Sequence, residues 1–413
     1  MDPLFTNDAV VLGILIGILA FVFKTSHSEN AFWKKFYSVV PALLMCYFIP
    51  SVFNSLGIIS GDESNLYFVS SRYLLPASLV LLTLSIDLKA IMRLGPKALI
   101  MFFTATLGIV IGGPLAILLV SIVSPETVGG AGPDAVWRGM TTIAGSWIGG
   151  GANQTAMKEV FNVGDDLFSA MIAVDVIVAN IWMAFLLYGA GISERIDART
   201  KSDTSTIEYV RKKVEDYRAS IARTPNLTDL ILICAVGFGV TAFAHFGADI
   251  IAPWIERAAP ALDKYSLTSK FFWIVVIATT GGLLLSFTKS RELEGAGAST
   301  VGSLLLYILI ASIGMKMNVL AIFDNPGLFL VGLIWMAVHA TLMLSVGKMI
   351  KAPFFFIAVG SQANVGGAAS APVVASAFHP ALAPVGVLLA VLGYALGTYA
   401  AWLCGILMQI VAP

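Results

Sequence analysis

Charge is what this sequence has least of. Only 12% of its 413 residues are Asp, Glu, Lys or Arg, about half the share of an ordinary soluble domain. That excludes a freely soluble globule. Acids and bases balance at 25 each, so no excess positive charge is offered to phosphates and nucleic acid is excluded as a partner. The three cysteines, Cys46, Cys234 and Cys404, are odd in number and lie inside apolar stretches. They exclude a disulfide framework and a thiolate metal site. No HExxH zinc motif, phosphate-cradling glycine loop or GxSxG nucleophile turn occurs. No cofactor is expected, and no enzyme. A hydrolase would need Ser146, Asp175 and His339 gathered in one place, and nothing in the sequence positions them together.

What is present is oil. Hydrophobic residues make up 58% of the chain, and they come in long blocks with short polar joints, the pattern of a polytopic helical membrane protein. Twelve blocks can be marked, near 9–23, 36–58, 73–92, 98–123, 139–160 and 166–190, then 228–252, 270–288, 299–322, 327–347, 353–377 and 381–411. The first has Asp2 and Asp8 before it and Lys24, Lys34 and Lys35 after it. That is the wrong polarity for a signal peptide. It reads as a retained span with the N-terminus outside.

One long polar joint, Ile192 to Asn226, divides the chain into six blocks and six. It contains a charged stretch, Glu208 to Ala222, that reads as a surface helix. The expected organisation is a first repeat over 1–191, a cytoplasmic linker over 192–226 and a second repeat over 227–413. Two matches in corresponding blocks support a duplication. "SIDLK" (Ser85–Lys89) answers "SIGMK" (Ser312–Lys316), and "GSWIGGGAN" (Gly145–Asn153) answers "GSQANVGGA" (Gly360–Ala368). The order is the same in both halves.

Charge then tests the orientation. The linker carries eight Lys and Arg and belongs on the cytoplasmic side. Six full crossings from an outside N-terminus would put it outside. The conflict disappears if block five enters and leaves on one face. The expected fold is therefore all-α, with two inverted repeats of about six segments, each holding one broken or re-entrant Gly/Asn-rich segment. The alternative is twelve full spans in parallel repeats.

A glycine-rich break at membrane depth is tolerated only where protein buries it or a wet cavity adjoins it. There it frees carbonyls for a cation and aims helix N-termini at a solute. The first break offers Ser146, Gly150, Gly151, Asn153, Gln154 and Thr155 as solute-binding residues. The second offers Ser361, Gln362, Asn364, Gly366, Gly367 and Ser370. Ionisable groups inside blocks are costly and functional by default. Asp175, with Asn180 five residues later, is the first candidate to carry Na⁺ or H⁺. Asp87 is the second, nearer the interface beside Lys89. The rival is a structural partner for a lysine or buried amide. For His339, the favoured expectation is a buried neutral ring bonded to a helix carbonyl. Thr279, Thr280, Gly281 and Gly282 are expected to pack.

The stretches "GSWIGGGANQTAM" and "SQANVGGAASAPVVA" resemble the YjcL-like family of bacterial membrane proteins, a domain of unknown function, over nearly the whole chain. More distantly, paired breaks in inverted repeats resemble the elevator-type transporters, among them the sodium–citrate, sodium–glutamate and bile-acid symporters and the sodium/proton antiporters. That second resemblance implies a core domain (blocks four to six and ten to twelve) moving against a scaffold, with Gly150, Gly151, Gly366 and Gly367 at the tips. It also implies a homodimer in a bacterial inner membrane. Two features depart from the group. No consecutive aspartates occupy a core helix, and no arginine stands beside either tip to clamp a carboxylate. The expectation is an Na⁺- or H⁺-coupled secondary transporter of a small polar solute, with a lean to neutral or zwitterionic amides, amino acids or short peptides. A channel is the alternative.

Overall fold

Every one of the twelve apolar blocks contains helix in the computed structural model of the chain. The structure describes residues 3–37, 40, 42–61, 63–86, 91–92, 94–202, 207, 224–265, 267–316, 325–379 and 382–413. In chain order the helices are α1 (Asp8–Ser26), α2 (Ala42–Ser55), α3 (Leu66–Leu84), α4 (Pro96–Val123), α5 (Val136–Val160) and α6 (Asp165–Gly191). The second half supplies α7 (Leu227–Ala258), α8 (Lys270–Leu285), α9 (Ala298–Gly314), α10 (Gly327–Met349), α11 (Phe354–Val365), α12 (Gly367–Phe378) and α13 (Ala383–Val411). The surface helix expected over 208–222 lies outside the described residues, as do Asp87 and Lys89.

Seven helices are long and apolar enough to cross a bilayer, or up to nine if each of two bent pairs is one span. Fewer helices than the twelve blocks are long enough to cross. With 14, 16 and 17 residues, α2, α8 and α9 fall short of the roughly 20 residues a straight crossing needs. Block eight bends by 94° into a short helix, Lys289–Ala296. Block three, in contrast, starts earlier than its apolar run. The helix takes in Ser70, Ser71 and Arg72 through one π-helical turn, because Arg72 finds a carboxylate partner, Glu159, on another helix.

Capping explains several starts. Asn7 Oδ1 accepts from Ala9 N at 2.9 Å at the head of α1. Asn226 and Asp229 form a reciprocal capping box at the head of α7, which satisfies two N–H groups that the first turn leaves open. The outer faces stay apolar. Phe243, Phe246, Ile250 and Trp254 on α7 are more than half exposed, an arrangement suited to lipid rather than water.

Two sets of helices pack mainly among themselves. One set is α4, α5, α6 and α10 to α13, with α13 lying along α5. The other is α1, α2, α3, α7, α8 and α9. The seam between them is thinner, and runs chiefly where α8 and α3 meet α13 and α5.

The glycine-rich blocks fold back on themselves. At Gly150 the backbone leaves the helix, with φ 74° and ψ −173°, a conformation open to glycine because it has no Cβ. Eight residues along a straight helix span about 12 Å. Yet a Cβ on Gly145 would lie 2.6 Å from the carbonyl oxygen of Asn153. The two ends of α5 also meet: Trp137 packs edge-on against Phe161 with centroids 5.8 Å apart, and the Arg138 guanidinium donates to the Phe161 carbonyl. The second break does the same. Gln362 Nε2 reaches Ser370 Oγ at 2.6 Å across Gly366 and Gly367, and Phe355 and Phe378 meet at 5.3 Å. Both segments are helical hairpins.

Candidate functional site

Helix α6 orients the two hairpins. At its N-terminal end, Gly164 N donates to Pro133 O at 3.0 Å, and Leu167 packs where a Cβ on Gly139 would stand. This is the base of the first hairpin. At its C-terminal end, the Phe354 ring covers Gly189, and Phe354 N donates to Asp197 Oδ1 at 2.8 Å. This is the base of the second. The hairpins enter from opposite ends of one helix, and their tips meet between. A Cβ on Gly367, whose φ is +58°, would lie 3.8 Å from Gly150 Cα. Half-burial raises the Asp197 carboxyl above its ordinary range, and its bond from Phe354 N acts in the opposite sense.

Beside the touching tips lies a cavity of about 370 Å³. It sits on the seam between the two helix sets. Ser146, Gly150 and Gly151 of the first hairpin and Gln362, Gly366, Gly367 and Ser370 of the second form one wall with Asp175 and Asn180 of α6. Leu43 of α2 and Ser303, Leu306, Tyr307 and Ile310 of α9 form the opposite wall.

Asp175 is 6% exposed. Trp147 Nε1 donates to its Oδ1 at 2.7 Å, and Gln154 Nε2 to its Oδ2 at 2.8 Å. The Ser146 hydroxyl approaches the same carboxylate. All three donors come from the first hairpin, so the tip and the acid form one unit. Gln154 is thus behind the acid and not on the cavity wall. Asn180 lines the cavity, with its Nδ2 donating to Val176 O at 2.7 Å. In the second hairpin, Gln362 is 2% exposed, and its Oε1 has no hydrogen-bond partner among the described residues. Ser370 holds the other end of that amide.

Asn153, Thr155, Ser361 and Asn364 do not line the cavity. The two asparagines have matching surroundings. Asn153 Nδ2 donates to Gly149 O (3.0 Å) and Tyr394 O (3.1 Å), while Oδ1 accepts from Thr398 Oγ1 (2.7 Å). Asn364 Nδ2 donates to Gly360 O (3.1 Å) and Phe102 O (3.2 Å), while Oδ1 accepts from Thr106 Oγ1 (2.8 Å). Each amide bonds the carbonyl four residues back, a carbonyl on a neighbouring long helix, and a hydroxyl one turn further along that helix. They are staples that hold the hairpins to α13 and α4. Thr155 Oγ1 donates to Gly151 O at 2.9 Å, again inside the hairpin.

Ser361 belongs to a closed triad. Trp182 Nε1 donates to Ser361 Oγ at 2.7 Å, and Ser361 Oγ lies 2.8 Å from His339 Nε2. His339 Nδ1 faces Ala105 O at 3.2 Å. A carbonyl only accepts, so Nδ1 carries the proton and Nε2 accepts from the serine. This is the buried, carbonyl-bonded histidine expected of the sequence. Its nitrogens are both engaged away from Ser146 and Asp175, so the three residues of a hydrolase are not gathered. Of the patch at 279–282, Gly282 packs against Val80. Thr279 and Thr280 instead reach across the seam to Thr398 (3.1 Å) and Tyr399 (2.6 Å).

Several residues of the site escape a reading of the sequence. Trp147 stands inside the quoted glycine stretch, yet nothing local says that its N–H serves a carboxylate on the next helix. Tyr394, Ser303 and Tyr307 line the cavity from ordinary apolar helices. A charged cluster at the base of the first hairpin is also unexpected. Lys158, 5% exposed, pairs with Asp165 at 2.7 Å and donates to Tyr67 Oη at 3.0 Å. Glu159 takes Arg72 at 2.6 Å and accepts from Tyr67. The signal was present as two charges, Lys158 and Glu159, at the end of an apolar block.

Residues 13–411 match the family described as "Protein of unknown function (DUF819)". The chain is 24% identical over 391 residues to the "Uncharacterized membrane protein YjcL" of Bacillus subtilis (strain 168), covering 88% of this chain and 89% of that protein. With its apolar exterior and seven to nine candidate spans, this is a multi-pass membrane protein, and it belongs to the DUF819 family.

Proposed function

We propose that the protein is a secondary transporter, coupled to Na⁺ or H⁺, that carries a small polar solute across the membrane in the cavity at the hairpin tips. The observation that supports this reading is the meeting of two hairpins from opposite ends of α6, at a polar cavity on the seam between two helix sets. Irregular backbone at mid-depth is stable only when protein or a wet cavity surrounds it. A cavity on a seam changes its access when one set slides past the other. On this reading the halves are inverted repeats, and α4–α6 with α10–α13 form the moving core. The set containing α2 and α9 is the scaffold. Ser146, Gln362 and Ser370 face the solute, Asp175 carries the coupling charge, and Asn153 and Asn364 keep the tips in shape.

The test needs no knowledge of the solute. Ser370→Cys places a thiol on the cavity wall in a chain whose exposed Cys234 is replaced by alanine; Cys46 and Cys404 are buried. Membrane-impermeant thiol reagents are applied to right-side-out and to inverted vesicles. Labelling from both faces, without a standing conductance in planar bilayers, is the expected result. Reactivity confined to one face in every condition would refute alternating access.

A further inference from the structure

The geometry points to a solute with one ammonium group as the occupant of this cavity, its charge against Asp175 and an N–H directed at Gln362. This inference rests on the cavity being the solute site.

Three observations carry it. First, the Asp175 carboxylate lines the cavity, and among the described residues no lysine or arginine pairs with it or lines the same wall. Trp147, Gln154 and Ser146 take about three of the four lone pairs on the two oxygens, which leaves one for a further donor. An unpaired buried carboxylate is expensive, and a cation beside it removes that cost. Second, Gln362 Oε1 is buried, has no partner among the described residues, and is part of a residue on the same cavity wall. With Ser370 on its nitrogen, the amide lacks one thing, an N–H or O–H donor. An ammonium group has donors for both residues. Third, a carboxylate or phosphate solute would meet Asp175 with no base to offset it, which is a selective penalty against anions.

The rest of the wall limits the remainder of the solute. Leu43, Leu306, Ile310 and Val365 are apolar, and Tyr307 and Tyr394 present rings. A compact hydrocarbon body suits them. One carboxylate compensates one positive charge, so the ammonium group and the coupling ion exclude each other at Asp175.

The purified full-length protein tests this by thermal shift in potassium buffer. Isobutylamine, cyclohexylamine and benzylamine are compared with the alcohol and the carboxylate of each skeleton. The expected result is a saturable rise in Tm with at least one amine, absent with its alcohol and carboxylate. Asp175→Asn abolishes that rise. Gln362→Ala, which keeps the acid, moves half-saturation by up to about tenfold, the value of one hydrogen bond. Saturating amine also removes any extra stabilisation by Na⁺ over K⁺. No response of the wild type to any of the three amines overturns the inference. So does an equal response in Asp175→Asn, or a response to the carboxylate instead. Each leaves alternating access standing, since that fails separately, when the Ser370→Cys thiol reacts from one face only.

Discussion

Replacing Asn153 by alanine probes the staple that keeps the first hairpin closed. The side chain makes three hydrogen bonds in a fully buried position. Their loss is unequal. Tyr394 O lies within the continuous helix α13, and Thr398 keeps a neighbour in Thr279 at 3.1 Å. Gly149 O is different. It stands one residue before the non-helical Gly150, and the Asn153 amide donates to it. Side-chain hydrogen bonds inside membrane proteins average about 0.6 kcal/mol, so three give roughly 2 kcal/mol, and an orphaned buried carbonyl raises this toward about 3 kcal/mol. The assay is thermal unfolding of the purified protein, followed by a double-mutant cycle with Thr398→Val. The expected coupling between the two sites is about 0.5–1 kcal/mol. A single mutant as stable as wild type, or strictly additive losses, would refute the stapling. Gly397→Ala offers a second check, since its Cβ would lie 2.6 Å from Asn153 Nδ2. It should destabilise through the same contact.

Other expectations follow from the packing. Glu159→Gln should cost about 3 kcal/mol, because it leaves Arg72 without its carboxylate in a largely buried cluster. The double change Arg72→Met with Glu159→Met should cost less than the sum of the single changes, and a Tm as low as that sum predicts would count against a buried pair. Gly150→Ala should cost about 1–3 kcal/mol, the strain of a side chain in an extended conformation at positive φ that is essentially glycine's alone. A Cβ there has room, 3.7 Å from Tyr394, so an unchanged Tm would mean that the tip does not hold this conformation. Asp197→Ala removes the acceptor for Phe354 N at the base of the second hairpin, and should lower stability by about 1 kcal/mol. Asp197→Asn, which keeps an acceptor, should retain most of it.

Much of the fold was legible because a bilayer restricts the options. Blocks of apolar residues separated by charged joints must be helices, and all twelve contain helix. The balance of charge along the chain favoured a turned-back segment in the first half over twelve full spans, and α5 folds back at Gly150. What could not be read was how far each helix runs. Arg72 stands just outside the apolar block marked near 73–92, yet the helix passes through it, with Glu159 on another segment as its partner. The candidate site divides in the same way. Ser146, Gly150, Gly151, Gln362, Gly366, Gly367, Ser370, Asp175 and Asn180 share one cavity. Asn153, Gln154, Thr155, Ser361 and Asn364 stand behind it, although their types and spacing resemble those of the first group.

The amino-acid sequence by itself determined that the chain lives in a membrane, that two glycine-rich stretches interrupt its helices, and that an acid stands among apolar residues. Composition and local backbone preference are enough for that, since each acts within a few residues. Tertiary packing alone separates the amides that line the cavity from those that bind the protein. A hydrogen bond spans about 3 Å, and whether Asn153 or Gln362 finds its partner within that reach depends on helices hundreds of residues away in the chain. Tyr394 O and Thr398 reach the first, and no described residue reaches Oε1 of the second.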